Sequence, residues 1–207
     1  MRVFGMNKVK KQESILVVQR EDICTSALWT GYQKSDFSQE LITIKNKAIF
    51  MPRDIAEESP KYKQIIPYLI FKYQDSYFLM QRKKSTTEQR LALKYTLGIG
   101  GHLREEDLAG VTIFDWALRE FYEEVNYTGS MTTTALGIIN DDATDVGKVH
   151  IGFAFLLEGN SPDISIKSEL KSGNLVSLHD LKTIYYDSLE TWSQIAYQLL
   201  CDLENKK

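Results

Sequence analysis

Three glutamates near the middle of the chain are the residues best suited to do chemistry. Glu120, Glu123 and Glu124 stand at positions i, i+3 and i+4, so on a helix they share one face. Like charges at these offsets repel, and the dipole disfavours anions near the C-terminal end of a helix. A compensating positive charge is therefore expected, and carboxylate oxygens suit Mg²⁺ or Mn²⁺ better than zinc. Metal-assisted phosphoryl chemistry is the use that this pattern favours.

The helix that carries these glutamates is predicted from its apolar residues. They recur at the helical period of 3.6 and form one stripe: Phe114, Ala117, Leu118, Phe121 and Val125. Thr112, with Asp115 three positions later, is expected to cap the start of the helix. Arg119 and Glu123 form an i, i+4 pair, so the guanidinium can hold that carboxylate in one rotamer. A bare acidic helix face exposed to water is the alternative interpretation, and the nearby Gly100-Gly101 pair argues against it.

These residues resemble the Nudix box, whose pattern is G-x5-E-x7-R-E-U-x-E-E-x-G-U, where U is a bulky apolar residue. The chain supplies Arg119, Glu120, Phe121, Tyr122, Glu123, Glu124, Val125, Asn126 and Tyr127. Asn126 replaces the family's glycine, and we expect it to take the left-handed conformation that often ends a helix.

The first half of the box departs further from the pattern. Gly101 lies four residues farther from Arg119 than the pattern allows, and Val111 occupies the place of the first glutamate. An acid from the segment 104–107, which holds Glu105, Glu106 and Asp107, is expected to replace that glutamate. The sequence leaves open which of the three acids does so.

The resemblance implies roles for individual residues. The carbonyl of Gly100 and the carboxylates of Glu120, Glu123 and Glu124 would bind Mg²⁺ or Mn²⁺. Glu120 would also position or deprotonate the attacking water, and Arg119 would orient the carboxylates. A further acid from a later loop often completes such sites, and Glu169 occupies a similar place before the last strand. The acidic turn with Asp141, Asp142 and Asp145 is the alternative source of that acid.

Substrate phosphates need positive charge, which an acidic site lacks. Basic residues cluster just before the glycine pair: Arg82, Lys83, Lys84, Arg90 and Lys94. Of these, Arg82 and Arg90 are the candidate substrate-binding residues, because a guanidinium can bind phosphate in a bidentate way. Gly101 and His102 are expected to contact the substrate as well. For His102, and for His150, which could also touch substrate, a structural, hydrogen-bonded histidine is the alternative interpretation.

The resemblance predicts a divalent-metal-dependent hydrolase that cleaves the P–O–P linkage of a nucleotide or of another nucleoside-diphosphate-linked small molecule. Two other classes stay open. One is a Nudix-fold module that senses a ligand without turnover, although such regulators tend to lose the box carboxylates that this chain keeps. The other is an isomerase acting on a diphosphate-bearing isoprenoid, which needs a catalytic cysteine beside the metal, and Cys24 and Cys201 are poorly placed for that role.

Composition bounds the class of protein. The chain has 207 residues, 43% of them hydrophobic and 26% charged, which is ordinary for a globular enzyme. A net charge of −3 gives no sign of a nucleic-acid-binding surface. The N-terminus has no apolar run long enough for a signal peptide or a membrane span, so we expect a cytoplasmic protein with no membrane partner. The oligomeric state stays open, with a homodimer as one option.

The element pattern predicts an α/β fold in which a mixed sheet lies between helices, the α/β/α sandwich that the Nudix resemblance also implies. Residues 1–61 are expected to form an N-terminal extension packed on a Nudix domain of residues 62–207. Predicted strands cover 15–18, 40–44, 65–71, 77–82, 95–99, 134–139 and 149–157, and predicted helices cover 21–29, the box and 189–203. Segments such as Gly98-Ile99-Gly100-Gly101-His102 and Val149-His150-Ile151-Gly152 are similar to bacterial Nudix proteins of unassigned substrate.

Overall fold

The computed structural model describes residues 13–24, 28–83, 93–109, 112–167 and 170–205. The strands are β1 (Ser14–Gln19), β2 (Thr30–Gln33), β3 (Ile49–Pro52), β4 (Tyr62–Tyr73), β5 (Ser76–Arg82), β6 (Tyr95–Thr96), β7 (Gly98–Ile99), β8 (Val125–Asn126), β9 (Met131–Asp141), β10 (His150–Gly159), β11 (Ser165–Ile166) and β12 (Leu170–Ser177). The helices are α1 (Arg20–Ile23), α2 (Ser38–Lys47), α3 (Arg53–Glu57), α4 (Ile113–Glu124), α5 (Asp145–Lys148), α6 (Leu178–Asp180) and α7 (Thr191–Glu204). A 3₁₀ segment, Glu105–Ala109, precedes α4, and Leu181–Tyr185 forms a π-helical turn after α6.

One mixed sheet organises the described part of the chain. Its strands lie in the order β12-β5-β4-β10-β9-β2, with β1 and β7 also paired to β4, β3 to β1 and β6 to β5. The pair β4 and β10 is parallel, and the other pairs are antiparallel. Both parallel strands are buried along almost their whole length, as expected for strands covered on two faces.

The two faces of the sheet carry separate hydrophobic clusters. One cluster includes Trp116 and Phe121 of α4, and the other includes Ala196, Leu199 and Leu200 of α7. Successive side chains of a strand point to opposite faces, so neighbouring residues of β4 enter different clusters. The sheet therefore lies between α4 and α7, and the predicted α/β/α sandwich is confirmed.

The N-terminal part of the described chain shares this sheet. Strand β1 pairs with β4 through residues 17–19, and β2 pairs with β9. The boundary near residue 62 stays a prediction, but residues 13–61 and the box helix contribute to one hydrophobic cluster. None of the helices within the described ranges is both long and apolar enough to cross a membrane.

Four local predictions are wrong. Residues 40–44 belong to α2, where Leu41 and Ile44 face the core at helical spacing, and the predicted helix 21–29 ends at Ile23. The predicted strand 95–99 is two short strands, because β6 pairs with β5 whereas β7 pairs with β4. Asn126 is not left-handed: α4 ends at Glu124, the next residue Val125 is extended, and residues 125–126 form β8, which pairs with β11.

Candidate active site

Helix α4 begins as the sequence predicts. The Thr112 hydroxyl accepts a hydrogen bond from the Asp115 backbone N–H at 3.1 Å, and the Asp115 carboxylate accepts one from the Thr112 backbone N–H at 2.9 Å. This reciprocal capping box satisfies two of the donors that a helix start leaves unpaired. The buried residues of the helix are Ile113, Trp116, Ala117 and Phe121. The box carboxylates lie on the remaining, less buried side.

Arg119 joins the acids of the site through a single guanidinium. Its Nε and Nη2 donate to the two carboxylate oxygens of Asp107 at 2.6 and 2.8 Å. Its Nη1 lies 2.9 Å from Glu120 Oε1 and 2.9 Å from Glu123 Oε2. The hydrogen bonds that Arg119 donates to Asp107 are the main reason that the pKa of Arg119 lies well above its usual range. The i, i+4 contact that the sequence predicts between Arg119 and Glu123 is present, and its orienting role stays a prediction.

Asp107 is the acid that reaches Arg119 from the segment before the helix. Its side chain is only 2% exposed, while Glu105 and Glu106 are exposed to solvent. Burial alone would raise the pKa of Asp107, but the hydrogen bonds from Arg119 lower it below the usual value, so the carboxylate is ionised. Asp107 follows Gly101 at the spacing that the box pattern gives its first glutamate. Counting forward from Gly101 would have identified it, whereas counting back from Arg119 leads to Val111, outside the described residues.

Glu120 is more enclosed than Glu123: 14% of its side chain is exposed, against 54% for Glu123. Burial raises the pKa of Glu120 against the attraction of Arg119, and repulsion from Glu123 raises it further. Gly101 faces this carboxylate directly. A Cβ on Gly101 would lie 2.4 Å from Glu120 Cδ and within 2.7 Å of both oxygens. The glycine therefore leaves space at the carboxylate that any other residue would fill.

The turn with Gly100 and Gly101 is supported from both sides. A Cβ on Gly100 would lie 2.4 Å from the Pro67 carbonyl oxygen of β4, so the backbone of the turn lies directly on the central strand. On the other side, the Leu97 backbone N–H donates to Ser193 Oγ of α7 at 3.0 Å. Ser193 Oγ also bonds to Tyr68 Oη at 2.8 Å, and its side chain is fully buried. The first turn of α7 thus holds the segment that leads into the glycines.

His102, a predicted substrate contact, belongs to a hydrogen-bonded group at the start of β4 and β10. Its Nε2 lies 2.7 Å from Gln64 Oε1 and 3.3 Å from His150 Nε2. His150 Nδ1 lies 2.7 Å from the Val146 carbonyl oxygen and must donate to it, so His150 Nε2 is an acceptor and His102 Nε2 carries the proton. Burial lowers the pKa of His102 to about 2 and also lowers that of His150. The structural interpretation of both histidines fits these contacts.

Arg82, another predicted substrate contact, forms an ion pair with Glu190 at the start of α7. Burial would lower the pKa of Arg82, but the attraction of Glu190, the hydrogen bond that Arg82 donates to it and a smaller attraction of Glu124 keep that pKa above the usual value. Arg90 and Glu169, also predicted for the site, lie outside the described residues.

The acidic side chains after β9 contact residues that lie outside the box helix. Asp142 forms an ion pair with Arg20 and another with Lys63, whose Nζ lies 3.0 Å from Asp142 Oδ1. Asp141 accepts a hydrogen bond from the Thr144 hydroxyl at 2.8 Å, and Asp145 pairs with Lys148 on the surface. These contacts join the N-terminal part of the chain to the sheet.

The oxygen donors of the box residues are chemically suited to bind a hard divalent ion. All the donors are oxygens, and the buried Glu120 with its raised pKa lies beside a second carboxylate that shares its guanidinium partner. Over the described ranges, no three side chains of the His, Cys, Asp or Glu type are already gathered closely enough to hold a metal.

Known proteins resemble this chain over almost its whole length. No family model matches it. Protein YmaB of Bacillus subtilis (strain 168) is 35% identical over 206 residues, which cover 92% of this chain and 98% of that protein. The crystal structure of Tm1382, classed with the Nudix hydrolases, is similar with a TM-score of 0.74 and 30% identity. That match covers 92% of this chain and 100% of Tm1382.

A more distant structure shares the fold alone. The MutT protein from Methanosarcina mazei Go1 is 21% identical, with a TM-score of 0.50, and the match covers 70% of this chain and 96% of that one. The box on α4, the sandwich around the mixed sheet and the full-length similarity to Tm1382 agree. This chain belongs to the Nudix hydrolase superfamily.

Proposed function

We propose that this chain is a divalent-metal-dependent pyrophosphohydrolase that cleaves the P–O–P linkage of a nucleotide or of another nucleoside-diphosphate-linked small molecule. The observation that carries the proposal is the position of Glu120. Its carboxylate is mostly buried, shares Arg119 with Glu123, and faces a glycine that leaves room beside it. A buried carboxylate next to a second one is suited to bind a cation or to accept a proton.

Gly100, Glu120, Glu123 and Glu124 would hold the ion, with Mg²⁺ or Mn²⁺ as the expected cation. When bound, such an ion lowers the pKa of water and stabilises negative charge on phosphate oxygens. Arg119, fixed by Asp107, keeps Glu120 and Glu123 on one side of the helix. The chain's own contribution is therefore the orientation of carboxylates before the substrate arrives.

Glu120 is the candidate base because burial raises its pKa and so strengthens it as a proton acceptor. In the proposed reaction, a water oxygen bonds to one phosphorus and loses a proton to the carboxylate. The bond from that phosphorus to the bridging oxygen breaks, and the second phosphate leaves with the bridging oxygen. Glu169 stays the candidate for an added acid from a later loop.

The two other classes predict different behaviour. The Nudix domain of Shewanella oneidensis NrtR was solved with ADP ribose; it is 11% identical to this chain, with a TM-score of 0.54, and so shares the fold alone. A binding module of that kind would bind such a compound without releasing products. The isomerase alternative needs a thiol at the carboxylates, but Cys201 packs with the α7 cluster on the opposite face of the sheet, and Cys24 lies near Arg20 and Lys63.

A substrate screen with matched variants tests the proposal. The wild type is incubated with nucleoside triphosphates, ADP-ribose, dinucleotides and nucleotide sugars in Mg²⁺ or Mn²⁺, and products are separated by ion-exchange chromatography. We expect turnover of at least one compound, lost by a factor of about 10² or more in Glu120→Gln and retained in the control Glu106→Gln. Binding of a compound without any product would favour the sensing module and would contradict the proposal.

A further inference from the structure

The loop after the glycine turn and the N-terminal part of the chain meet at one carboxylate, that of Glu13. Arg104 Nε and Nη2 lie 2.9 and 2.8 Å from Glu13 Oε1, and Arg53 Nη1 lies 3.0 Å from Glu13 Oε2. Burial would raise the pKa of Glu13, but the hydrogen bonds that the two arginines donate lower it below the usual value, so the carboxylate is ionised. One anion therefore holds the arginine pair, Arg53 and Arg104, together.

Each member of the arginine pair keeps a terminal amino group that can reach a ligand. Arg53 donates from Nε to Glu57 Oε1 at 2.8 Å and from Nη1 to Glu13, and its Nη2 has no hydrogen-bond partner among the described residues. The same holds for Arg104 Nη1. The two side chains are 35% and 39% exposed. Guanidinium groups that carboxylates fix in place and that retain such donors match the oxygens of a phosphate.

Arg104 lies next to the candidate active site. Its backbone N–H donates to Asp107 Oδ2 at 2.8 Å, and the same oxygen accepts a hydrogen bond from Arg119 Nη2 at 2.8 Å. Asp107 thus joins the backbone of Arg104 to the guanidinium that contacts Glu120. Arg104 also follows Gly101, which faces Glu120, by three residues. A chain of that length spans roughly 11 Å at most.

The described residues of the box offer no arginine nitrogen to a substrate phosphate. Arg119 donates from Nε and Nη2 to Asp107, and its Nη1 contacts both Glu120 and Glu123. A metal ion neutralises the phosphate oxygens that it binds, but a phosphate farther along the substrate needs a cation of its own. The arginine pair is the source of positive charge that lies beside the glycine turn and keeps donors for this purpose.

A buried donor near Arg104 also lacks an acceptor. Gln64 is fully buried, and its Oε1 lies 2.7 Å from Nε2 of His102, which comes two residues before Arg104. The Nε2 amino group of Gln64 has no hydrogen-bond partner among the described residues. A buried donor without a partner costs free energy, so such groups are usually met by a ligand or an ordered water. The unpaired groups here are donors, whereas the box offers carboxylates.

We propose that the arginine pair is a phosphate-binding subsite: it binds a phosphate group of the substrate that lies beyond the linkage cleaved at the box. This inference rests on the proposed function, because it takes the box carboxylates as the place of cleavage. It narrows the substrate class to compounds that carry an additional phosphate, as nucleoside triphosphates do and ADP-ribose does not. The N-terminal part of the chain, which supplies Glu13 and Arg53, thereby contributes to substrate recognition.

Binding of inorganic tripolyphosphate to the full-length protein in EDTA tests the subsite without metal and without turnover. The dissociation constant is measured by isothermal titration calorimetry for the wild type, Arg104→Gln, Arg53→Gln and the double variant. We expect it to rise about tenfold in each single variant, because each loses a charge-assisted hydrogen bond, and to rise further in the double variant. The matched control is Lys47→Gln on α2, which removes a cation that is 56% exposed and paired with Asp22. It should bind tripolyphosphate as the wild type does.

Three results of the titration would overturn the inference. They are no binding by the wild type, the same dissociation constant in the wild type and both arginine variants, and an equal loss of affinity in Lys47→Gln. Circular dichroism shows whether each variant is folded. If Arg104→Gln is not, Arg104→Lys replaces it, because lysine keeps the charge beside Glu13 but lacks the planar fork. Arg104→Lys should bind tripolyphosphate several-fold more weakly than the wild type, and equal affinity would overturn the inference.

Kinetics with Mg²⁺ or Mn²⁺ separate a failure of this inference from a failure of the proposed function. Arg104→Gln should raise the KM for a nucleoside triphosphate about tenfold and leave the KM for ADP-ribose unchanged, since ADP-ribose has no phosphate for the arginine pair. Hydrolysis of ADP-ribose without hydrolysis of any triphosphate would overturn the inference and leave the hydrolase assignment intact. Hydrolysis of no compound would overturn the proposed function, while the tripolyphosphate titration would still show whether the arginine pair binds phosphate.

Discussion

At the residue scale, the two adjacent glycines have different reasons to lack a side chain. Gly101 faces the end of the Glu120 side chain, while Gly100 faces the Pro67 backbone carbonyl. A side-chain terminus can move aside, whereas the backbone of a central strand cannot do so cheaply. Neither glycine has a positive φ, so the requirement is space and not backbone conformation.

Substitution with alanine should therefore separate activity from stability. We expect Gly101→Ala to lower kcat about tenfold or more by displacing the Glu120 carboxylate, with a change in unfolding free energy of no more than about 1 kcal/mol. Gly100→Ala should lower the unfolding free energy by about 2 kcal/mol or more because of the clash with Pro67. Urea unfolding and steady-state kinetics on both variants measure this difference, and equal stability losses would contradict it.

Asp107 makes a second prediction at this scale. Asp107→Asn replaces an ionised, buried partner of Arg119 and should cost about 2–4 kcal/mol of unfolding free energy. It should also reduce kcat/KM at least tenfold, because Arg119 then loses the partner that fixes it between Glu120 and Glu123. Glu106→Gln, one residue earlier and exposed, is the control and should change neither quantity. A silent Asp107→Asn variant would show that Arg119 needs no second acid.

At the element scale, elements with a complete local signal could be predicted and those defined by distant pairing could not. Helix α4 was predictable because its cap and apolar stripe are local. The segment 95–99 was not, because its division into β6 and β7 depends on pairing with β5 and β4. Helix α2 was mistaken for a strand because Leu41, Ile42 and Ile44 give a short, ambiguous apolar pattern. The ion pair between Arg82 and Glu190 likewise joins residues far apart in the sequence, which no local pattern reveals.

The start of the parallel pair β4 and β10 predicts a pH dependence of stability. His102 and His150 are neutral there, with pKa values lowered by burial, that of His102 to about 2. The stability that the two neutral histidines contribute is fully present above the unfolded-state pKa of about 6.5. As the pH falls below that value, the unfolded chain binds protons that the native one does not, and each histidine costs up to about 1.4 kcal/mol per pH unit.

Urea unfolding of the wild type and of His150→Gln at pH 7.5 and 5.0 measures this loss. The variant should lose less stability between the two pH values than the wild type, by about 1–2 kcal/mol. The exposed His179 provides the control variant His179→Gln, whose pH dependence should match the wild type. Identical pH dependence in all three proteins would contradict the prediction.

At the scale of the whole molecule, one buried ionic group ties the N-terminal part of the chain to the sheet. Lys63 is fully buried and donates to Asn140, to Asp142 and to the carbonyl oxygens of Gly147 and His150. Arg20 adds two hydrogen bonds to the Asp142 carboxylate. The sequence showed only an acidic turn here, because the partners of Asp142 are 79 and 122 residues away.

Asp142 should therefore matter for stability and not for the chemical step. Asp142→Asn leaves two cations without their counter-ion and should lower the unfolding free energy by about 3–5 kcal/mol. Residual kcat of the folded fraction should stay within a few fold of the wild type. Asp145→Asn, whose side chain is 84% exposed, is the matched control and should cost no more than about 0.5 kcal/mol. A large loss of kcat in folded Asp142→Asn would return the acidic turn to the site.

The bond between Leu97 and Ser193 also sets an order of events during synthesis. The two residues are 96 positions apart, and the helix that holds the glycine turn is made long after the turn itself. Translation adds roughly 5–20 residues per second, so the nascent chain carries its box carboxylates for several seconds without the support behind the turn. The segment that leads into the glycine turn therefore gains this support only after α7 has left the ribosome.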